Sequence, residues 1–207
     1  LIKSIDEILQ LDCNSNNIEY TIEANPKTIT SKKAIAMKQY GINRVSLGLQ
    51  SANEIELKVL NRIHSFKDLE ESIDILKVHG INNINIDLMY AIANQTIESF
   101  ENSIQKVLTL KPAHISCYSL ILEEGTALYK LHKENKITFP TEDEDISMYE
   151  LAVNMLTSAG YEHYEISNFA LTGRKCSHNI TYWKVKPYLG FGVSSHSFFD
   201  NSRYSNT

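Results

Sequence analysis

The chain has 207 residues, of which 43% are hydrophobic and 22% are charged, and its net charge is −5 at pH 7. This is the composition of an ordinary globular protein that can bury a sizeable core. The acidic balance, without a cluster of Lys and Arg, argues against binding to a nucleic-acid backbone. No apolar run approaches the ~18 residues that a membrane span needs, and no signal peptide opens the chain, so we expect a cytoplasmic protein.

Hydrophobic periodicity and capping residues predict helices and strands that alternate along the chain. In order, the pattern predicts a helix over 4–11, a strand over 18–24, a helix that Thr30 caps and Gly41 ends, and a strand from Arg44. Helices over 54–60 and 66–78, a strand over 83–88, and a helix that Thr96 caps before Pro112 come next. A strand over 114–122, a helix from Thr141 to 156 and a strand over 161–166 complete the predicted elements.

A glycine that ends a helix, followed by a strand, recurs in the same phase. This pattern begins at Gly41, returns at Gly80 and returns more loosely at Gly160, each six residues before an apolar strand residue. Such an internal repeat outranks local propensity. Its unit is a βα pair, and strands separated by helices form parallel sheets with right-handed crossovers. We therefore expect an α/β fold.

The predicted strands have two unlike faces. The face toward the helices is apolar and consists of Ile22, Val45, Leu47, Leu49, Ile84, Ile86 and Leu88. The opposite face is polar and consists of Thr21, Glu23, Ser46, Gly48, Gln50, Asn85, Asp87, Ser116 and Tyr118. Burying so many polar groups is costly unless they pair with one another or with a ligand. We predict a ligand cradle at the strand ends, and the alternative is a solvated face.

Several motifs together resemble radical S-adenosylmethionine proteins in order and spacing. They are Glu23-Ala24-Asn25-Pro26, the segment 44–51, Asn61-Arg62-Ile63-His64 and the segment 85–90. The branch resembled is the oxygen-independent coproporphyrinogen III oxidase family, and the segments 164–170 and 177–183 resemble its haem-chaperone members. The resemblance implies a partial TIM-type (β/α) barrel over 1–170 with parallel strands alternating with helices. Residues 171–207 would extend this catalytic domain and carry a His-Asn-x-x-Tyr-Trp motif.

By this resemblance, Glu23, Gln50, Arg62 and Asp87 contact S-adenosylmethionine. Glu23 can meet the ammonium of that ligand, and Arg62 can pair with its carboxylate. Gln50 and Asp87 can bind the ribose hydroxyls or the amino-acid end. Without the resemblance, Arg62 would be interpreted as a surface cation at a helix end. The resemblance indicates no particular catalytic residue.

By the same resemblance, a second ligand is haem, bound by His178, Asn179, Tyr182 and Trp183. Imidazole is a common axial ligand of haem iron, and the two aromatic rings offer flat apolar faces for a porphyrin. Asn179 could orient the imidazole. The alternative is that the two rings belong to the core and that His178 caps a turn. Other candidate ligands in this part of the chain are His163, Cys176 and His196.

The chain departs from the family in its cysteines. The family holds a 4Fe-4S cluster with a Cys-x3-Cys-x2-Cys run, whereas Cys13, Cys117 and Cys176 are far apart here. They match neither that run nor a disulfide framework. We therefore expect the cluster-binding segment, and the Gly-Gly strand end that would touch the ligand's methionine part, to lie outside this sequence. No metal ligand is predicted within it.

The turn at residues 90–96 is also unlike that of the family. The family pattern Tyr-Gly-Leu-Pro-Gly-Gln-Thr is replaced by Tyr90-Ala91-Ile92-Ala93-Asn94-Gln95-Thr96. Two glycines and a proline are lost where positive φ or close approach to a ligand would favour glycine. Either this copy is drifting from the family pattern or the loop is built differently.

Three functions remain open. The preferred one is a haem-handling chaperone with a vestigial or accessory S-adenosylmethionine site. The others are an oxidase of porphyrin biosynthesis that decarboxylates porphyrinogen propionates, which needs the cluster, and an interaction module without chemistry. Expected partners are haem or porphyrin, haem-receiving proteins, a membrane-protein client and a second copy bound at the open edge of the strand over 18–24.

Overall fold

The structure, a computed structural model, describes residues 2–9 and 18–206. The helices are α1 (Ile2–Leu9), α2 (Ser31–Gln39), α3 (Glu54–Val59), α4 (Phe66–Val78), α5 (Ile97–Thr109), α6 (Ala127–Lys133), α7 (Glu142–Ser158) and α8 (Ser177–Trp183). The strands are β1 (Thr21–Ala24), β2 (Arg44–Gln50), β3 (Asn83–Tyr90), β4 (His114–Ser119), β5 (Glu162–Glu165), β6 (Asn168–Ala170), β7 (His196–Phe199) and β8 (Ser202–Ser205). Two compact units divide the chain after Arg174.

A six-stranded sheet with the order β1-β2-β3-β4-β6-β5 organises the first unit. The strands β1 to β4 are parallel neighbours in chain order, and helices lie between them in sequence. The predicted α/β fold with parallel strands and alternating helices is therefore confirmed.

The end of the sheet differs from the repeat. The repeat predicts that the fifth strand lies parallel beside β4, but β5 lies at the sheet edge and the unpredicted β6 separates it from β4. β6 is antiparallel to both neighbours, and its residue Asn168 lies opposite Ser116 of β4. Only residues 166 and 167 lie between β5 and β6. Because so short a connection can only join antiparallel strands, the chain turns back in a hairpin here.

The predicted helix caps are present. Thr30, Thr96 and Thr141 each accept a hydrogen bond from a backbone N–H in the first turn of the following helix. Gly41 and Gly80 follow α2 and α4 with φ of 76° and 79°, the left-handed conformation that glycine adopts without steric cost. The threonine caps fix where these helices begin, and the glycines fix where α2 and α4 end before the next strand.

Some element bounds differ from the prediction. β1 begins three residues later than predicted, β3 continues two residues further, and α6 was not predicted. Because α6 has seven residues and buries none of them, it gives no amphipathic signal. The predicted helix over 4–11 corresponds to α1, and its residues 10 and 11 lie outside the described residues.

The core lies between the sheet and the helices. The predicted apolar face is buried, with Leu47 and Ile86 fully covered and Ile22 packed against the core from the edge strand. The helices supply Leu69 and Phe100, which are also fully covered. The opposite face of β1 to β4 carries the polar residues.

The second unit contains α8 and the hairpin of β7 and β8. Tyr188 forms an isolated antiparallel bridge with Phe198 of β7. The predicted functional division of the chain after residue 170 stays a prediction. Within residues 2–9 and 18–206, no helix is both long enough and apolar enough to span a membrane.

Candidate functional site

A cavity of about 400 Å³ lies on the polar face of the sheet, where the parallel strands end. Its lining residues are Glu23, Ala24, Asn25, Ser46, Gly48, Gln50, Arg62, Asp87 and Tyr118. The structure thus brings together the four residues predicted to contact S-adenosylmethionine. Ligand sites of parallel sheets form at this end of the strands. A larger cavity of about 690 Å³ lies among α3, α4 and α5 and includes none of the four.

Hydrogen bonds from neighbouring side chains of the polar face hold the carboxylate of Asp87 in place. Asn85 Nδ2 donates to Asp87 Oδ1 at 2.6 Å and to Ser46 Oγ at 2.7 Å. Ser46 Oγ in turn donates to Asp87 at 3.3 Å. The Asn85 carbonyl oxygen accepts from His114 Nδ1 at 2.5 Å, and Ser116 Oγ lies 3.2 Å from the same oxygen and 2.7 Å from Asn168 Oδ1, which share its one proton. Both N–H groups and the oxygen of the Asn85 amide are therefore hydrogen-bonded.

The same contacts define the protonation state of His114. Since Nδ1 donates to Asn85, Nε2 accepts from Tyr164 Oη at 2.8 Å. Burial, together with the positive charge of Arg44, lowers the pKa of His114 to about 3. The imidazole is therefore neutral at physiological pH and carries its proton on Nδ1.

Burial is the main influence on Asp87. Burial, and to a smaller extent the nearby carboxylate of Glu23, raise the pKa of this carboxyl to about 6. Hydrogen bonds from Asn85, Ser46 and Ser116 act in the opposite direction. At pH 7 the carboxylate is ionised, and the cavity presents it beside Glu23. This combination attracts a cation or hydroxyl donors.

Arg62 reaches the cavity because the segment between α3 and α4 is held in place. Arg62 Nη1 donates to Asn25 Oδ1 at 2.8 Å, and its backbone N–H donates to Leu57 O at 2.8 Å. The buried His64 donates from Nε2 to Leu49 O at 3.0 Å. Sequence reasoning included Asn25 and His64 in motifs but assigned neither a role, because contacts 37 and 15 residues apart in sequence leave no local pattern.

The end of β2 shapes the cavity floor. A Cβ at Gly48 would lie 2.9 Å from Gln50 Nε2 and 3.5 Å from Asn25 Oδ1, so glycine leaves this space open. Gln50 follows a register shift and has a φ of 72°. Tyr118 Oη donates to Gln50 Oε1 at 3.1 Å, and burial raises the pKa of Tyr118 to about 12. The phenol therefore stays protonated and directs the amide nitrogen of Gln50 away from itself.

The turn after β3 has the strain that its sequence predicts. Ala91 and Asn94, the two positions where the family pattern has glycine, have φ of 56° and 62°. Gln95 supports the turn, since its Oε1 accepts from Ile92 N at 3.2 Å and its Nε2 donates to the buried Glu56 at 2.9 Å. The turn therefore keeps a conformation suited to glycine and is anchored to α3.

The residues predicted to contact haem lie in and around α8, in the second unit. The rings of His178 and Tyr182 meet edge to face with centroids 4.8 Å apart, and Tyr182 lies 4.3 Å from Tyr188. Tyr182 is 42% exposed and Trp183 is 54% exposed, so neither is a core residue of this unit. Asn179 lies on the same short helix.

The other candidate haem ligands are dispersed. Cys176 is buried at the start of α8, and His196 is exposed on β7. His163 belongs to the first unit, where its ring stacks on Phe169 with centroids 4.3 Å apart and contacts Ile166 O.

The comparison with protein families decides the membership of this chain. Residues 1–107 match the profile described as Radical SAM superfamily. The chain belongs to the radical SAM superfamily. This confirms the predicted superfamily, whose cofactors are S-adenosylmethionine and a 4Fe-4S cluster.

The curated relatives include proteins named Heme chaperone HemW. The chain is 37% identical over 206 residues to that of Lactococcus lactis, which covers all of this chain and 54% of the relative. It is 35% identical over 193 residues to that of Bacillus subtilis, covering 93% of this chain and 51% of the relative. The chain therefore spans about half the length of the curated relatives that it matches.

Solved structures support the radical SAM fold. Coproporphyrinogen III oxidase (HemN) from Escherichia coli aligns with a TM-score of 0.74 at 21% identity, over 95% of this chain and 49% of that one. Elp3 from Methanocaldococcus infernus aligns with a TM-score of 0.60 at 27% identity, over 65% of this chain and 32% of that one. At 21% identity the likeness to the oxidase shows the fold alone.

The two cofactors of the superfamily fit the described residues unequally. S-adenosylmethionine carries an ammonium, a carboxylate and ribose hydroxyls, and the cavity offers carboxylates, a guanidinium and amides. The described residues do not fit the cluster, since among them no three His, Cys, Asp or Glu side chains could hold a metal ion together. Cys117 is buried, which raises the pKa of its thiol to about 12, and Cys13 lies outside the described residues.

Proposed function

We propose that this chain is the S-adenosylmethionine-binding part of a haem chaperone. The observation that carries the first half of the proposal is that Glu23, Gln50, Arg62 and Asp87 line one cavity at the strand ends. The second half is supported by the relatives named Heme chaperone and by the exposed aromatic rings of α8. Such a protein would act in the cytoplasm.

Each lining residue has a role that its chemistry suits. The carboxylate of Glu23 accepts from the ligand's ammonium, and Arg62, held by Asn25, pairs with the ligand's carboxylate. Asp87 accepts from the ribose hydroxyls, while Gln50 donates from Nε2. Bound S-adenosylmethionine supplies a reactive sulfonium. These residues bind and orient it, and none of them is assigned a catalytic proton transfer.

Calorimetry tests the binding half. We expect S-adenosylmethionine to bind the wild-type chain and Asp87→Asn to weaken binding at least about tenfold, because one charge-assisted hydrogen bond is lost. Asp74→Asn, on the exposed side of α4, is the matched control and should bind as the wild type does. Unchanged binding by Asp87→Asn would remove Asp87 from the site.

A haem titration tests the other half. His178, Asn179, Tyr182 and Trp183 form the proposed haem contact, with His178 the preferred axial ligand. The Soret band of wild type should shift on binding, and His178→Ala should weaken binding or move the band. His79→Ala at the end of α4 is the control. If wild type and His178→Ala gave identical spectra and affinities, His178 would be structural.

Partners beyond haem follow from the same proposal. Haem-receiving proteins and a membrane-protein client would accept the haem, and a second copy would pair at the edge strand β1. Among the described strands, β1 is hydrogen-bonded only to β2. Light scattering that found a monodisperse monomer at high concentration would contradict self-association.

Two other functions are the alternatives. Oxidative decarboxylation of a porphyrinogen would require the iron–sulfur cluster, and among the matched relatives it is the solved oxidase that carries this name, at 21% identity. A module that only mediates interactions would not need four polar ligand-type side chains around one cavity. Absorption spectra after haem addition and after iron–sulfur reconstitution separate the three functions.

A further inference from the structure

Glu56 is a buried carboxylate that lies outside the S-adenosylmethionine cavity. It belongs to α3, only 4% of the residue is exposed, and it is not among the residues that line the cavity. None of the ion pairs within the described residues includes it. A buried carboxylate without a cation is costly unless several hydrogen bonds hold it, so the donors around it indicate its role.

Three neutral donors from three segments meet on this carboxylate. Ser51 Oγ donates to Oε2 at 2.6 Å, and Gln95 Nε2 donates to the same oxygen at 2.9 Å. Ser99 Oγ donates to Oε1. Ser51 follows β2, Gln95 lies in the turn after β3, and Ser99 belongs to α5. The carboxylate therefore ties the ends of two neighbouring strands to two helices.

Of the three bonds, the one from Ser51 leads directly to the cavity. Ser51 follows Gln50, whose side chain lines the cavity and whose φ is 72°. This backbone conformation is unfavourable for a residue with a Cβ and needs support from its surroundings. Ser51 is fully buried, and its hydroxyl donates to Glu56 and accepts from Asn53 N at 2.9 Å. Glu56 thus helps to hold the backbone that follows Gln50.

We propose that Glu56 is a positioning residue of the S-adenosylmethionine cavity, which acts through Ser51 to direct the side chain of Gln50. This role rests on the proposed function of the cavity. A polar group that is already fixed in the free protein binds its ligand more tightly, because it loses less freedom on binding. Asp87 has its own support from Asn85, so loss of Glu56 should displace Gln50 and leave Asp87 in place.

The two oxygens of the carboxylate distinguish a conservative substitution from a disruptive one. Oε2 accepts from two donors, whereas Oε1 meets only the Ser99 hydroxyl, which can rotate and accept instead. Glu56→Gln therefore keeps all three contacts when its carbonyl oxygen takes the place of Oε2 and its amide nitrogen donates to Ser99. Glu56→Leu removes all three contacts.

Nuclear magnetic resonance of the unliganded chain tests this role without S-adenosylmethionine. The side-chain amide signals of Gln50 in the ¹⁵N-labelled chain are assigned by their loss in Gln50→Met. Glu56→Leu should shift these signals toward those of a solvated glutamine amide, and Glu56→Gln should leave them near their wild-type positions. Leu156→Ala, at a fully buried position of α7, lowers stability and should not shift them. Unshifted signals in Glu56→Leu, or an equal shift in Leu156→Ala, would overturn the proposal.

Two variants that each remove one hydroxyl keep the test decisive even if Glu56→Leu fails to fold. Ser51→Ala removes the link to β2 and should shift the Gln50 amide signals. Ser99→Ala removes another bond of the same carboxylate, on the side of α5, and should leave the signals near their wild-type positions. Equal shifts in the two serine variants would rule out the path through Ser51.

Calorimetry measures the consequence for S-adenosylmethionine. Glu56→Leu should weaken binding about fivefold, and Glu56→Gln should keep it within about twofold of wild type. Because Glu56 acts through Gln50, adding Glu56→Leu to Gln50→Met should cause no further loss. Equal affinity of wild type and Glu56→Leu, or a further loss in the double variant, would overturn the proposal. Absence of binding by wild type would instead contradict the proposed function, and the amide signals would still decide the role of Glu56.

Discussion

Asn85 and Asp87 stand two residues apart on the polar face of β3, and the amide nitrogen of the first donates to the carboxylate of the second at 2.6 Å. The amide is itself held by Ser46, His114 and Ser116. The polar face is therefore a connected network that presents one carboxylate to the cavity. Removing the charge of that carboxylate should change both ligand binding and stability.

Affinity for S-adenosylmethionine should depend on pH through Asp87. Burial raises the pKa of this carboxyl to about 6, so most of the carboxylate is protonated at pH 5 and ionised at pH 7. Only the ionised form accepts two hydrogen bonds from the ligand. We expect calorimetry to give about tenfold weaker binding at pH 5 than at pH 7. The Asp87→Asn variant should show little of this dependence, and an equal dependence would assign the titration to another group.

The stability of the chain should respond in the opposite direction. The pKa of Asp87 is higher in the folded chain, about 6, than its ordinary value of 3.8, so the folded state binds the proton more tightly. The contribution of Asp87 to the free energy of unfolding therefore falls as the pH rises from about 4 to about 6, and it stays at the lower value above pH 6. The difference between the two pKa values corresponds to a loss of at most roughly 3 kcal/mol in the free energy of unfolding.

Urea unfolding measures this effect. Asp87→Asn should raise the free energy of unfolding at pH 8 by roughly 1–2 kcal/mol, since its hydrogen bonds are only partly replaced. At pH 4 the gain should vanish. Asp74→Asn, exposed on α4, should change neither value. A variant that lost stability at pH 8 would show that the hydrogen bonds of Asp87 outweigh the cost of burying its charge.

The sequence predicts β2 and β3 well because strong alternation and a helix-ending glycine coincide there. Val45 and Ile84 are buried on one face while Ser46 and Asn85 bond on the other. The strand β6 could not be predicted, because three residues cannot show a period. Its pairing with β4 depends on contacts more than 50 residues apart, such as that from Ser116 to Asn168.

The candidate site was predicted only in part, for a similar reason. The motif resemblance named Arg62, although its position alone suggests a surface cation. Its place in the cavity depends on Asn25, 37 residues away in sequence. The buried chain from Asn85 through His114 to Tyr164 likewise joins three strands. Such contacts arise from strand register, which sequence periodicity does not fix.

Iron–sulfur reconstitution should leave this chain without a stoichiometric cluster. Thiolate ligands must converge to bind four irons, and Cys117 and Cys176 belong to different units. Anaerobic incubation with iron and sulfide should therefore give no defined four-iron absorption band. Measurement of iron and sulfide per chain checks this, with Cys117→Ala as the comparison. About four irons per chain with a defined spectrum would contradict the prediction.

The turn after β3 provides a matched pair of alanines. Ala91 has a φ of 56°, whereas Ala93 in the same turn does not have positive φ, and both are buried. A left-handed alanine costs about 1 kcal/mol that glycine avoids. That relief should offset the lost methyl group in Ala91→Gly and leave the free energy of unfolding within about 0.5 kcal/mol of wild type.

The same substitution at Ala93 should destabilise the chain by about 1–2 kcal/mol, because the glycine there loses a buried methyl group and gains only flexibility in the unfolded state. Urea unfolding of the two variants at one pH makes the comparison. Asn94→Gly is a third member of the series. Asn94 accepts from Thr138 N at 3.2 Å, so glycine there relieves strain but loses that bond. If Ala91→Gly lost as much stability as Ala93→Gly, the strained turn would not be a feature of the folded chain.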